Sequence, residues 1–135
     1  EETSDKKFFF NFDYDLNPKK MTRSIEIVYG LRNFVGNANK FSNKKIFIDL
    51  KSNTEITEIK IQDDGTGYPA DVLSKIGEPY LKSFYNKSKT GLGLGIFIGK
   101  NLLEKNFASI NCRNSKKTSG AEVIIKWDNT NLYKI

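Results

Sequence analysis

The chain has 135 residues, a net charge of +6, one cysteine (Cys112) and no histidine. Its length suits one domain with a real core, and no apolar run approaches the ~20 residues of a membrane span. Ser-His-Asp and Cys-His nucleophiles, zinc held by histidine or cysteine, and a disulfide framework are all excluded. Any metal must be held mainly by oxygen, which points to magnesium or calcium.

The aromatic run "KFFFNFD" (7–13) reads as a strand. "NPKKMT" (17–22) is a turn, with Thr22 as the expected helix N-cap. Over 23–42, Ile25, Val28, Leu31, Val35, Ala38 and Phe41 recur at spacings of three and four, which predicts an amphipathic helix. "KKIFIDLKS" (44–52) and "TEITEIKIQD" (54–63) alternate as strands, the second with one slip, and "SN" between them suits a tight hairpin. Pro69 opens a short helix over about 69–77. Residues 78–93 have no clear period and form a long loop, which in a compact domain usually carries function. A second amphipathic helix follows over 94–105, and strands at 108–114 and 121–127 close the domain. The expected fold is α+β: a two-layer sandwich of one mixed, mostly antiparallel five-stranded sheet with three helices on one face.

The chain opens at Glu1 without Met or a signal-peptide pattern, and reads as a single domain, 1–135, excised from a longer protein. Its basic excess invites a nucleic-acid role. However, only Arg23, Arg32 and Arg113 are arginine, and the lysines lie in scattered pairs at 6–7, 19–20, 44–45 and 116–117. With no basic stripe, no nucleic-acid partner is expected.

Four constellations stand out. Asn33, Asn37 and Lys40 share one face of the first helix. Two amides and a cation so placed suit a magnesium that keeps several waters and a phosphate, though they also suit a solvated helix face. In "QDDGTGYPAD" (62–71), Asp63 ends a strand, and Gly65 and Gly67 turn the backbone back on itself. Such a carboxylate is acceptor-only and would take the exocyclic N–H of adenine but not the carbonyl of guanine; an ordinary strand-to-helix turn reads the same way. "KTGLGLGIFIGK" (89–100) sets four glycines at a helix start, where backbone N–H groups can approach phosphate. It lacks the Walker pattern, and a glycine hinge is the other reading. "SGAEV" (119–123) turns into the last strand and alone means little.

Taken in order, these motifs, with Glu-Pro-Tyr at 78–80 among them, resemble the N, G1, F, G2 and G3 boxes of the GHKL nucleotide-binding domain. The match covers about residues 8 to 128 and is similar to the catalytic ATP-binding domain (Bergerat fold) of bacterial sensor histidine kinases. The resemblance implies ATP and Mg²⁺ as cofactors, with Asn37 on the magnesium, Lys40 at phosphate, Phe41 against the adenine and Asp63 reading its amino group. It also implies that Gly65, Gly67, Tyr80, Thr90, Gly91, Leu92, Gly93, Leu94 and Gly95 line the nucleotide, with 78–93 as the ATP lid. "GEPYLKS" (77–83), "GLGLGIFIGKNLLEK" (91–105) and "GAEVIIKW" (120–127) are similar to the redox-responsive RegB/PrrB group. That group implies a membrane-anchored, homodimeric parent, a cytoplasmic location for this domain and a partner response regulator. Cys112 falls in a predicted strand and is expected to be a small core residue.

The GHKL ATPases and serine kinases carry a Glu four residues before the magnesium Asn as general base. Here that residue is Asn33, and an amide cannot take a proton from water or serine at neutral pH. A histidine acceptor is already a nucleophile, so catalysis by Asn33, Asn37 and Lys40 becomes positioning and charge stabilisation. With no histidine in the chain, the acceptor must lie on an upstream dimerisation domain or another chain. The alternatives are a degenerate GHKL module that docks a partner without catalysis, or a GHKL ATPase.

Overall fold

Strands alternate inward apolar with outward polar side chains, and this alternation organises the molecule. The computed structural model describes residues 6–14, 24–76 and 92–132. In chain order the elements are β1 (Lys7–Tyr14), α1 (Ile25–Phe41), β2 (Lys45–Ser52), β3 (Ile56–Asp63), α2 (Ala70–Ile76), α3 (Leu92–Lys105), β4 (Ser109–Asn114), β5 (Ala121–Asp128) and a one-turn α4 (Asn129–Leu132). The sheet order is β1-β2-β3-β5-β4. β1 runs parallel to β2 and every other pair is antiparallel, as the alternation predicts.

Ile46, Ile61, Val123, Ile125 and Trp127 point to the helices and are buried. Their neighbours Asp49, Lys60, Glu122 and Lys126 fall on the opposite face by alternation. The slip in β3 has a simple cause. Thr57 takes the inward position that a third isoleucine would fill, and its hydroxyl bonds Ser52 Oγ at 3.0 Å and donates to Asn129 Oδ1 at 2.7 Å.

α1 begins two residues later than expected. Its N-cap is Ser24, whose side chain accepts from the Ile27 amide, so Thr22 is not the cap. The β2–β3 connection is not the two-residue "SN" hairpin but a three-residue turn over 53–55. Asn53 Oδ1 closes it by accepting the Glu55 and Ile56 amides at 2.8 and 2.9 Å, and Asn129 braces it from α4.

α1 and α3 cross where neither can carry a side chain. A Cβ at Gly30 would lie 2.6 Å from Leu103 Cγ, and one at Gly99 would lie 2.8 Å from the Phe34 ring. A Cβ at Gly36, by contrast, meets nothing within 4 Å among the described residues. At the far end of this helix pair, Glu26 accepts from Lys105 Nζ at 2.8 Å and from Asn106 Nδ2 at 3.0 Å. Trp127 donates its indole N–H to Asn106 O at 3.0 Å, tying β5 to the same corner.

Candidate functional site

The opposite end of the α1–α3 pair opens over β3 and β5 into a cavity of about 250 Å³. Its walls are mostly apolar, with Phe34, Ala38 and Phe41 from α1, Ile61 from β3 and Val123 from β5. Its polar lining residues are Asp63, Asn37, Thr66 and Tyr68. Apolar walls with a few placed polar groups are the usual make-up of a ligand pocket.

Asp63 and Asp64 are adjacent in sequence and differ in every other respect. Asp63 is only 3% exposed. Its Oδ1 accepts the Gly65 amide at 2.8 Å and the Ala121 amide at 3.2 Å, while Thr118 Oγ1 donates to its carbonyl at 2.8 Å. This packing needs Gly120, where a Cβ would fall 2.1 Å from the Asp63 carbonyl oxygen. Burial pushes the Asp63 carboxyl above its ordinary range, and the Gly65 and Ala121 N–H bonds only partly offset that. With Oδ1 committed to these amides, Oδ2 is the atom left for a ligand.

Asp64 instead clamps the corner between α1 and β2. Its carboxylate accepts the amides of Asn43 at 2.8 Å, Lys44 at 2.9 Å and Lys45 at 3.0 Å. Desolvation is the largest single influence and opposes ionisation, but the N–H groups of Lys45, Lys44 and Asn43 together outweigh it and hold the carboxyl below the usual range.

Gly67 takes a positive φ of 84° to turn the chain out of β3. Asn114 then grips the next residue at two points, accepting the Tyr68 amide at 2.6 Å and donating to its carbonyl at 3.1 Å. Asn114 and Thr118 were not singled out by the sequence, and Gly120 only within the "SGAEV" turn, because the residues meet only through the β4–β5 pairing. Cys112 packs partly buried against the core as expected, and burial pushes its thiol up to about 11, so it stays neutral near pH 7.

Asn37 faces the start of α3. A Cβ at Gly95 would sit 3.3 Å from both of its amide heavy atoms. Among the described residues, Asn37 Nδ2 is buried with no hydrogen-bond partner. An orphaned buried amide atom costs ~1–3 kcal/mol. Asn33 donates Nδ2 to its own helix at Tyr29 O, 2.9 Å, and its Oδ1 also lies toward Gly95. Lys40 lies exposed on the same flank with its Nζ 5.3 Å from the Phe41 ring centre. Leu92, Gly93, Leu94 and Gly95 form the first turn of α3, which carries no acidic residue. Leu92 and Gly93, expected in the lid, instead open α3, which starts two residues earlier than expected; Tyr80, Thr90, Gly91 and the rest of 78–91 lie outside the described residues.

Asn37, Phe41, Asp63, Gly67 and the start of α3 are thus brought together around one opening. The Asn37 carboxamide fits a magnesium ion that arrives with phosphate, being a single neutral oxygen ligand. Among the described residues no cluster of three or more acidic, histidine or cysteine side chains holds a metal by itself.

Residues 22–131 match the family model described as histidine kinase-, DNA gyrase B- and HSP90-like ATPase. The sensor histidine kinase RegB of Cereibacter sphaeroides is 31% identical over 118 residues, covering 76% of this chain and 26% of RegB. The sensor protein kinase PilS of Pseudomonas aeruginosa is 31% identical over 97 residues, covering 67% of this chain and 18% of PilS. This chain therefore spans about a quarter or less of the length of these relatives. Among solved structures, the mycobacterial sensor histidine kinase MprB superposes with a TM-score of 0.67 at 20% identity, covering 90% of this chain and 83% of that one. The catalytic domain of histidine kinase ThkA gives 0.68 at 23% identity, covering 90% and 79%. These two share the fold. The chain belongs to the histidine kinase-, DNA gyrase B- and HSP90-like ATPase family and is similar to the corresponding part of sensor histidine kinases.

Proposed function

We propose that this domain binds Mg-ATP and presents the γ-phosphoryl to a histidine carried on another domain. The observation that carries this reading is the pairing of a buried carboxylate, Asp63, with an orphaned amide, Asn37, across one apolar cavity. At about 250 Å³ the cavity is smaller than the ~300–1,000 Å³ of whole-ligand pockets. It holds the base, and the phosphates extend toward α3.

Asp63 Oδ2 accepts the adenine N6–H, with Phe41 against the ring. The N–H groups opening α3 at Leu92, Gly93, Leu94 and Gly95 hold phosphate oxygens, assisted by the helix dipole. Asn37 holds magnesium through its carboxamide oxygen. The ion, when bound, neutralises charge on the phosphates. Lys40 adds a cation on the same flank. Asn33 cannot remove a proton, and Glu26, the only acid on α1, lies at the far end and is engaged by Lys105 and Asn106. The domain therefore activates no water, and the acceptor must bring its own nucleophilicity. Since this chain has no histidine, the acceptor belongs to an upstream dimerisation domain of a homodimeric, membrane-anchored parent, which passes the phosphoryl to a response regulator.

Calorimetric titration with non-hydrolysable ATP and GTP analogues, with and without Mg²⁺, tests this. The expected result is binding of the adenine form alone, strengthened by magnesium. Binding of neither form would leave a docking module that has kept the fold and lost the nucleotide.

A further inference from the structure

The face of the sheet turned away from the helices carries a second hollow, of about 370 Å³, where β3, β5 and β4 meet the turn that joins β4 to β5. Its floor is a row of cross-strand neighbours, with Gln62 opposite Glu122 and Glu122 opposite Arg113. Gln62 and Glu122 are both more than nine-tenths buried. Lys60 stands two residues before Gln62 on the same face, and Lys116 and Lys117 lie in the turn.

The acceptors around this hollow are taken and the donors are not. Ser115 Oγ accepts the Lys117 and Thr118 amides, each at 3.2 Å, so its proton goes to Gln62 Oε1 at 3.1 Å. That fixes which end of the carboxamide faces Ser115 and leaves the Gln62 NH₂ to the hollow. Asn114 uses both its oxygen and its nitrogen on Tyr68. Glu122 accepts from Arg113 Nε, and the two NH₂ groups of that guanidinium have no partner among the described residues. Lys60, Lys116 and Lys117 likewise form no ion pair among the described residues, and Asp49, opposite Lys60 on β2, makes none with it.

A hollow with a buried polar floor, four cations against one acid already paired, and N–H donors left over selects an anion. The donors approach from β3, from β4 and from the turn. An anion with oxygens in several directions meets more of them than a planar carboxylate does.

We propose that this hollow binds a small, soluble phosphate-bearing anion, with the Gln62 amide and the Arg113 guanidinium at its floor and Lys60, Lys116 and Lys117 around the charge. It shares no lining residue with the Asp63–Asn37 cavity, so the proposal stands apart from the nucleotide reading.

Titration of the ¹⁵N-labelled chain with pyrophosphate at constant ionic strength, followed by NMR, tests the proposal. Saturable shifts are expected at the Gln62 side-chain NH₂ and at the Lys117 and Thr118 amides, with one common dissociation constant below about 1 mM. Lys60→Gln with Lys117→Gln removes two cations that hold nothing within the fold. The pair is expected to raise that constant at least about tenfold while the rest of the spectrum stays in place. Shifts confined to the amides that open α3 would overturn the proposal, as would a dissociation constant that the double variant leaves unchanged. Succinate binding as tightly as pyrophosphate would overturn the choice of phosphate. Co-sedimentation with phosphatidic acid vesicles, lost in the double variant and unaccompanied by pyrophosphate shifts, would overturn a soluble ligand in favour of a lipid surface.

Discussion

The α1–α3 pair has two ends, and they are finished in opposite ways. At one end Glu26, Lys105 and Asn106 satisfy one another, and the Trp127 indole closes the corner. Lys105 and Asn106 draw the Glu26 carboxyl below its ordinary range, as expected for a partnered surface acid. At the other end Asn37 Nδ2 is buried without a partner among the described residues, Asp63 is buried at a raised pKa, and the helix starts on glycine-rich backbone with no acid in its first turn. The same two helices thus show what satisfied polar groups look like and what unsatisfied ones look like. Groups settled within the fold mark structure. Groups left in an unfavourable state mark a place where a ligand completes the bonding.

The sharpest way to break that contrast is Asp63→Asn. The new amide must keep its oxygen toward the Gly65 and Ala121 amides, so its NH₂ turns to the cavity and meets the adenine amino group donor to donor. Adenine-nucleotide affinity should fall about tenfold to a hundredfold by calorimetry. Stability should respond in the other direction. A carboxyl with a raised folded-state pKa weighs against folding while it is ionised, and that weight vanishes as pH falls through the raised value. The variant should therefore be at least as stable as wild type at pH 7, with the difference shrinking as acid is added. A destabilised variant with unchanged affinity would make Asp63 a structural residue.

Asn37→Ala addresses the phosphate end. The gain in affinity that magnesium gives the wild type should disappear, while the melting temperature holds to within about 3 °C, since no hydrogen bond from the orphaned amide nitrogen is lost. A large drop in melting temperature would show that the amide belongs to the fold rather than to the metal.

Asp64→Ala exchanges the two outcomes. Three backbone amides lose their acceptor, so stability should fall by roughly 1–3 kcal/mol, toward the low end because water reaches the carboxylate. Nucleotide affinity should stay near wild type. Since Asp64 has a lowered folded-state pKa, its contribution is present above the ordinary carboxyl pKa and is lost as pH falls through the lowered value. Urea unfolding at pH 7 and in acid should show the gap between wild type and variant closing.

These neighbours also show where sequence reasoning succeeds and stops. Alternation and aromatic or β-branched runs located the strands, because they are set by which side chains line a face, while the residues placed together in one cavity were named from the resemblance of the motif order to a known family. The division of labour between Asp63 and Asp64 was hidden, since it depends on which amides from β2 and β5 arrive beside each carboxylate. The Asn53 turn was misjudged for a similar reason. Its length is set by a carboxamide that closes on two amides and by Asn129, far along the chain, and neither leaves a periodic trace.

Gly36 sits on the same helix as both ends and belongs to neither. The structure places it on an exposed flank where a Cβ meets nothing among the described residues, in contrast to Gly30 and Gly99 on the crossing side. A helical glycine with open space around it carries only its entropic penalty. Gly36→Ala should therefore stabilise the domain by about 0.5–1 kcal/mol in urea unfolding, through a less flexible unfolded chain, and leave nucleotide affinity unchanged. A destabilised variant would mean that this flank packs against something, and the clean separation of α1 into a closed end, an open end and a free flank would fail with it.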